Sequence, residues 1–203
     1  MRCFILGNGP SLNDVDLTLL KDEATFGCNR IYLKWSDMGY PVTNYFLIDT
    51  YFCSSLRLEV QPYLDRGVKK FFVKHHSDRY MHSDKVHVGE GFISVGEGML
   101  TYAAEMGYDQ IYLLGIDMDY SGLKQRLGAE RGVTKLNGDD QWHFDRSYCD
   151  NGFYYEKKQG VVAHAMFKDA FNRLSGRGIK IYNASGNGKL EYIPIVDYYS
   201  LFE

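Results

Sequence analysis

Long apolar runs are missing from this chain: none approaches the ~20 consecutive residues that a helix needs to cross a bilayer. A signal-like leader is missing as well, since Met1-Arg2 runs straight into a short apolar stretch, and the expectation is a cytoplasmic protein without a transmembrane segment. Cysteine is sparse, with Cys3, Cys28, Cys53 and Cys149 scattered and no CxxC pair among them. That spacing speaks against structural zinc and against a disulfide framework, and the thiols read as reduced, small core residues. There is no surplus of positive charge either: 23 Lys and Arg against 26 Asp and Glu leave a formal net charge of -3. A protein that grips an extended nucleic acid normally needs a basic face, so that class is set aside, while a small anionic ligand stays compatible.

What is present is enough for one full core. The 203 residues are 45% hydrophobic and show no repeat or low-complexity segment, so residues 1–203 are expected to form a single domain. Short apolar runs at residues 3–6, 25–28, 45–48, 70–73, 111–116 and 180–182 alternate with helix-like segments. This alternation predicts an α/β fold, a Rossmann-like and mostly parallel sheet with helices on both faces. One helix is expected to start near Ser94 and to stop at Gly107, with Met99, Ala103 and Met106 on one face. Another carries Ala163, Phe167, Ala170, Phe171 and Leu174 as a core-facing stripe. Between them, residues 120–160 are polar, glycine-dotted and aromatic, longer than an ordinary connection, and read as a lid. Seventeen Tyr and twelve Phe suit the core, and they also suit the flat faces of sugars and bases.

In parallel sheets ligands sit beyond the carboxyl ends of the strands, so the strand ends are where to look. The first ends in Gly7-Asn8-Gly9-Pro10-Ser11, the second in Asn29, the third in Asp49, and the fifth in Asp117-Met118-Asp119. The first turn has a purely structural explanation for most of its residues: glycines for a tight turn, Pro10 for a fixed φ, and Ser11 with Asp14 as a helix-capping pair. Asn8 is left over by that explanation and is the candidate ligand contact. The third glycine of a dinucleotide fingerprint and the lysine of a P-loop are both lacking. In Ser94-Val95-Gly96-Glu97-Gly98, Ser94 and Glu97 form a capping box, and the two glycines permit an anion to approach the helix N-terminus.

Asp117 and Asp119 are a D-x-D pair that either caps a loop or, as an alternative, holds Mg²⁺ on a nucleotide diphosphate. His75, His76, Asp78, His82, Asp84 and His87 fit no structural zinc spacing and read as a polar surface loop. Two histidines are candidates for general acid–base work. His143 sits in the long loop with Asp139 and Asp140 just upstream as orienting partners, and His164 lies at the rim of the last long helix.

Several of these motifs, in this order, resemble a known group. "ILGNGPSL", "GCNRIYL", "GYDQIYLLGIDMDY" and the ending "GIKIYNASGNGKLEYIPIVDYYSLF" are similar to the bacterial lipooligosaccharide sialyltransferases and to the wider MptE-like group, which includes motility accessory factors and a 6-hydroxymethylpterin diphosphokinase. The resemblance implies that Asn8 and Asn29 hold the CMP part of a donor, with Asp49 standing where that family has a third Asn. It implies a Thr-Ser-Gly-like segment at Ser94, Val95 and Gly96, and a phosphate-side tyrosine at or beside Asp119-Tyr120. The family's base matches His143 through its histidine-aromatic pair, while His164 lies nearer the family's helix position.

The expectation is a glycosyltransferase that moves a sugar from a nucleotide-activated, CMP-linked donor to a glycan or other hydroxyl acceptor. It requires no cofactor. Gly7, Asn8, Gly9, Pro10, Ser11, Ser94, Val95 and Gly96 would hold the phosphate and sugar, and Asn29 and Asp49 the nucleoside. The alternatives are a Mg²⁺-dependent diphosphokinase using Asp117 and Asp119, and a nucleotide or glycan binding module without turnover. The aromatic tail, residues 192–202, suits its own core or a second copy of the chain equally.

Overall fold

The computed structural model describes residues 1–48, 67–74, 85–89, 94–119, 121, 133–135, 139–148, 154–156, 159–186 and 188–203. Asp49 and Tyr120, together with residues 75–84 of the histidine-rich stretch, Cys53 and Cys149, lie outside the described residues. In chain order the strands are β1 (Arg2–Leu6), β2 (Thr25–Cys28), β3 (Asn44–Leu47), β4 (Lys70–Lys74), β5 (Val86–Gly89), β6 (Gln110–Leu114), β7 (Val133–Lys135), β8 (Tyr154–Glu156) and β9 (Lys180–Asn183). The helices are α1 (Trp35–Met38), α2 (Val95–Glu105) and α3 (Gln159–Ser175).

Seven strands make one parallel sheet in the order β5-β4-β3-β2-β1-β6-β9, and β7 pairs antiparallel with β8 apart from it. The chain lays β1 down in the interior, builds outward to β5, then returns to place β6 on the other side of β1. Strand order therefore reverses between β1 and β6, where Leu6 stands opposite Leu114. Such a reversal opens a crevice at the carboxyl edge.

A parallel sheet covered on both faces needs strands that are apolar throughout, and β1 shows why "RCFIL" qualifies. Cys3 and Ile5 go into one buried layer, Phe4 and Leu6 into the other. The layer on Cys3 and Ile5 is closed by the two long helices. α2 begins at Ser94 with both arms of the predicted capping box in place and buries Met99, Leu100, Ala103 and Ala104, and Gly107 follows in the left-handed region at φ +89. α3 buries Phe167, Ala170 and Leu174, as its stripe predicts. A Cβ on Gly96 would stand 2.9 Å from the Phe167 ring, so this glycine lets the two helices pack closely.

The layer on Phe4 and Leu6 is built differently. Its cover is 3-10 turns at Pro10–Asp14, Leu17–Leu20 and Asn29–Lys34, the four-residue α1, and the aromatic residues Trp142, Phe144 and Tyr148. The expectation of helices on both faces is met, with the two long ones on a single face. The helix-like pattern after Gly9 yields only 3-10 turns, since Leu12, Leu17 and Leu20 lack a continuous α period. The aromatic tail packs on its own chain: Tyr198 is buried and Phe202 stacks on Phe4 at 6.0 Å.

β5 was not visible as a strand, because its four residues carry a histidine inside a polar context. His87 stands on this edge strand beside Phe72 (5.5 Å between rings) and not in a loop, which corrects that expectation.

The contact between α2 and α3 is testable. Phe167→Ala is expected to lower unfolding stability by ~3–5 kcal/mol, the usual range for a buried Phe. Gly96→Ala should destabilise the wild type by crowding that ring, and stabilise the Phe167→Ala background, where ~1 kcal/mol of helix propensity is gained without the clash. Urea unfolding of the four proteins measures both, and a stabilising Gly96→Ala in the wild type would show the contact to be slack.

Candidate functional site

The carboxyl ends of β1 and β6 are drawn together by the chain's own groups. Gly7 N–H donates to the Leu114 carbonyl and Gly9 N–H to the Gly115 carbonyl, each at 2.7 Å. A Cβ on Gly7 would fall on the Gly115 carbonyl, and one on Gly9 on the Asp117 carboxylate. The glycines are thus explained by the close approach of two strand ends, and their N–H groups are taken. This corrects the expectation that Gly7 and Gly9 offer bare amides to a phosphate.

Ser11 does not pair with Asp14 as a cap. Its N–H donates to Asp117 Oδ2 at 2.9 Å and its hydroxyl donates to Asp117 Oδ1. Pro10, which has no N–H, opens the 3-10 turn. With both Asp117 oxygens so engaged, Asp119 turns elsewhere: its Oδ1 accepts from Ser121 N–H at 3.0 Å, and Lys189 Nζ is 3.9 Å from Oδ2. The Ser121 hydrogen bonds, with the lysine adding to them, hold the Asp119 carboxyl below its ordinary range. The two carboxylates are held by different partners, and among the described residues no group of three or more metal-ligating side chains forms. Both Asp117 oxygens accept from Ser11, which gives no support to its use with Asp119 as the alternative Mg²⁺ site.

Asn8 and Asn29 do come together. Asn8 Nδ2 donates to the Cys28 carbonyl at 3.2 Å, the carbonyl of the peptide that leads into Asn29, and lies 3.3 Å from Cys28 Sγ. Asn8 Oδ1 is buried and takes no hydrogen-bond partner among the described residues. A buried carbonyl left so is costly unless something supplies a donor. Asn29 adopts the left-handed conformation at φ 51, with its carbonyl accepting the Tyr45 hydroxyl. Both asparagines are partly exposed at the sheet edge. Burial pushes the Cys28 thiol up to about 12, opposed by the Asn8 amide.

Over residues 139–148, the segment expected to be a lid sends its large rings into the core while Asp139, Gln141, Arg146 and Ser147 stay exposed. Trp142, Phe144 and Tyr148 are buried, which corrects the reading of these three rings as free to stack on a ligand. The segment is fastened to the first strand end: Phe144 N–H donates to the Asn8 carbonyl at 2.9 Å, and Asn13 Nδ2 donates to the Phe144 carbonyl at 2.8 Å. Arg30, next to Asn29, holds its far end by donating from Nη1 to the Tyr148 carbonyl at 2.8 Å.

His143 is fixed between these fastenings. Its Nδ1 lies 2.7 Å from Oδ2 of the fully buried Asp140, and its ring stacks on Tyr148 with centroids 3.7 Å apart and planes at 6°. A carboxylate can only accept, so Nδ1 is the donor in this pair, and in the neutral ring Nε2 is left as the acceptor. Asp140 Oδ1 accepts from Trp142 N–H at 2.9 Å, which fixes the carboxylate in turn. Asp139 instead lies exposed, 3.8 Å from Arg146, so of the two candidate partners Asp140 is the one in contact.

His164 belongs to the other layer. It stands on α3 edge-on to Tyr192 at 5.7 Å, beside Phe171, a packing position on the face of the sheet opposite the His143 segment. The structure does not bring the two histidines into one cluster.

Ser94 accepts from Glu97 N–H at 3.2 Å and serves the helix, while Val95 and Gly96 hold the first amides, those a helix leaves without an internal partner. A groove of about 500 Å³ lies away from this edge, between the C-terminal half of α2 and strands β4 and β5, lined by Lys70, Phe72, Val86, His87, Tyr102, Glu105 and Met106.

Solved structures that share this fold include two glycosyltransferases. The MAf glycosyltransferase from Magnetospirillum magneticum AMB-1 matches with a TM-score of 0.59 and 14% identity over 98% of this chain. The sialyltransferase CstII from Campylobacter jejuni, in complex with the substrate analogue CMP-3FNeuAc, matches with a TM-score of 0.57 and 18% identity over 96% of this chain. The fold is one these glycosyltransferases have. The present chain spans 34% of the MAf chain and 84% of the CstII chain. No family model matches the sequence, and no curated protein sequence aligns with it.

Three residues of this site carried little or no warning in the sequence. Arg30 had one, a charge inside an otherwise apolar run at a strand end. Tyr148 was visible only as one loop aromatic among several, and Asn13 had no distinguishing signal.

The thiol environment gives a direct check. At pH 8 a group with a pKa of about 12 is thiolate in only ~1 of 10⁴ molecules. Iodoacetamide is expected to leave Cys28, and the equally buried Cys3, unmodified in the native protein and to label both in urea. Peptide mass mapping reads this out, and native labelling of Cys28 would mean that the β2 end is open to solvent.

Proposed function

We propose that this chain is a glycosyltransferase of the sialyltransferase-like type that uses a CMP-linked sugar donor and a hydroxyl acceptor. The observation that carries the reading is a juxtaposition at the switch point. Asn8, whose side-chain Oδ1 has no partner among the described residues, is joined by its backbone carbonyl to Phe144, the residue that follows an Asp140-oriented imidazole. The shared fold supports it, since the two structural neighbours described above are glycosyltransferases and one was solved with the substrate analogue CMP-3FNeuAc.

In this reading Asn8 and Asn29 hold the nucleoside and sugar. The Val95 and Gly96 amides at the start of α2, a helix that packs across β1, β2 and β3, face the phosphate with the positive end of the helix dipole. His143 Nε2 takes the proton from the acceptor hydroxyl as its oxygen bonds to the anomeric carbon. The bond from that carbon to the phosphate oxygen breaks, and its electron pair leaves with CMP. Asp140 holds the tautomer that keeps Nε2 an acceptor, and it stabilises the imidazolium that forms. A nucleotide phosphate is a good leaving group, so positioning and charge stabilisation can supply most of the acceleration. The MptE-like kinship and the assignment of the acceptor as a glycan belong to the same proposal.

Calorimetry with CMP, CDP, UDP, GDP and ATP, each with and without Mg²⁺, tests the donor. CMP binding independent of Mg²⁺ is expected, whereas Mg²⁺-dependent ATP binding alone would replace the reading with phosphoryl transfer. Release of CMP from CMP-N-acetylneuraminate should fall ~10²–10⁴-fold in His143→Ala, the usual range for a lost general base, and substantially in Asp140→Asn, with CMP affinity retained in both. Binding without any release in the wild type would instead indicate a module that recognises its ligand without turnover.

A further inference from the structure

The geometry points to Asn13 as a positioning residue that registers the His143 segment against the Asn8 turn, and so sets the base against the donor; the inference rests on the proposed function. Asn13 lies on the exposed side of the Pro10–Asp14 turn, five residues past Asn8. Its Nδ2 donates to the Phe144 carbonyl at 2.8 Å, and the N–H of the same Phe144 donates to the Asn8 carbonyl at 2.9 Å. One residue of the base segment is thereby gripped at both its amide and its carbonyl by a single six-residue stretch of chain, residues 8–13.

The grip is immediately C-terminal to His143. On the other side of the imidazole, Asp140 is held by Trp142 N–H, and its own N–H donates to the Arg146 carbonyl at 3.0 Å, so the segment is closed on itself upstream. The contacts to Asn8 and Asn13 then fix this small unit against the β1 end, while Arg30 ties its far end to the turn after β2. The Phe144 ring adds to the hold, buried and lying under Lys34 Nζ at 5.4 Å, but an apolar contact permits sliding that two directed hydrogen bonds do not. A base displaced by ~1 Å loses much of its advantage even when its chemistry is intact. The Asn8 side chain is not part of this grip, since only its backbone carbonyl takes part. Donor affinity and base placement are therefore separable by mutation.

Asn13 is exposed, so its substitution leaves the core untouched, and two readouts judge the inference. Hydrogen exchange across residues 141–148, followed by mass spectrometry, should quicken about tenfold in Asn13→Ala and in the isosteric Asn13→Asp, which loses the donor. In the same variants kcat for CMP release from CMP-N-acetylneuraminate should fall ~10–100-fold while the Kd for CMP stays within about twofold, and Asn13→Gln, which keeps an amide donor, should recover part of kcat. Unchanged exchange, an unchanged kcat, or a parallel loss of kcat and CMP affinity would each overturn it. Should the wild type neither bind CMP nor release it from the donor, the proposed function fails by itself. The exchange experiment then decides the grip alone: faster exchange upholds it, and equal exchange removes it.

Discussion

The carboxylate of Asp117 joins the two central strands at the place where the sheet changes direction. Its oxygens accept the N–H and the hydroxyl of Ser11, across a sequence separation of 106 residues. The approach needed for those bonds is open only because Gly7 and Gly9 carry no Cβ. Gly188, at φ +93, passes the Asp117 backbone just as closely, and Lys189 N–H donates to the Asp117 carbonyl at 2.7 Å, so the loop after β9 joins the same knot. Three chain segments are tied at one acid, and Met118, in the left-handed region at φ 50, takes up the bend that results. A non-glycine residue in that conformation carries strain that its surroundings must hold. The position of the Asn8 turn follows from this knot.

From there the two faces of the sheet divide the work. On one, α2 and α3 interlock through Gly96 and Phe167 and form the rigid backing of the sheet. On the other, short 3-10 turns leave space that Trp142, Phe144 and Tyr148 fill, bringing with them a histidine whose ring lies flat on Tyr148. Burial of the aromatic neighbours holds the imidazole in place more firmly than a mobile flap would. The orienting carboxylate of Asp140 is itself buried and doubly bonded, the kind of support that fixes a side chain's orientation. His164, by contrast, is part of the backing.

The sheet was legible in outline because each central strand is an apolar run bounded by turn residues, and α2 was legible to the residue through its capping box. β5 was not, since four residues with a histidine do not stand out from a polar stretch. Within the site, Asn8 was recognisable as a polar group without a structural task at a strand end and Asn29 as a polar strand end, while His143 was readable only as a histidine with two acids upstream, of which the structure selects Asp140. The glycines of the first turn misled. A sequence shows that a backbone must pass something closely, but whether that something is a phosphate or another strand depends on what folds against it. Here it is the β6 end. Ser11 misled for the same reason, since a hydroxyl three residues before an acid satisfies the local capping rule and was claimed by a distant carboxylate.

The amino-acid sequence by itself determined the α/β class, the two long helices with their buried stripes, and the gathering of polar residues at strand ends, because these rest on periodicity and on contacts within a few positions. Only the tertiary structure decided which face each segment covers, which of two histidines meets an acid beside Asn8, and that Asn13 grips Phe144 from 131 residues away. Such contacts depend on strand order and on the space left between packed side chains, and neither leaves a mark on neighbouring residues.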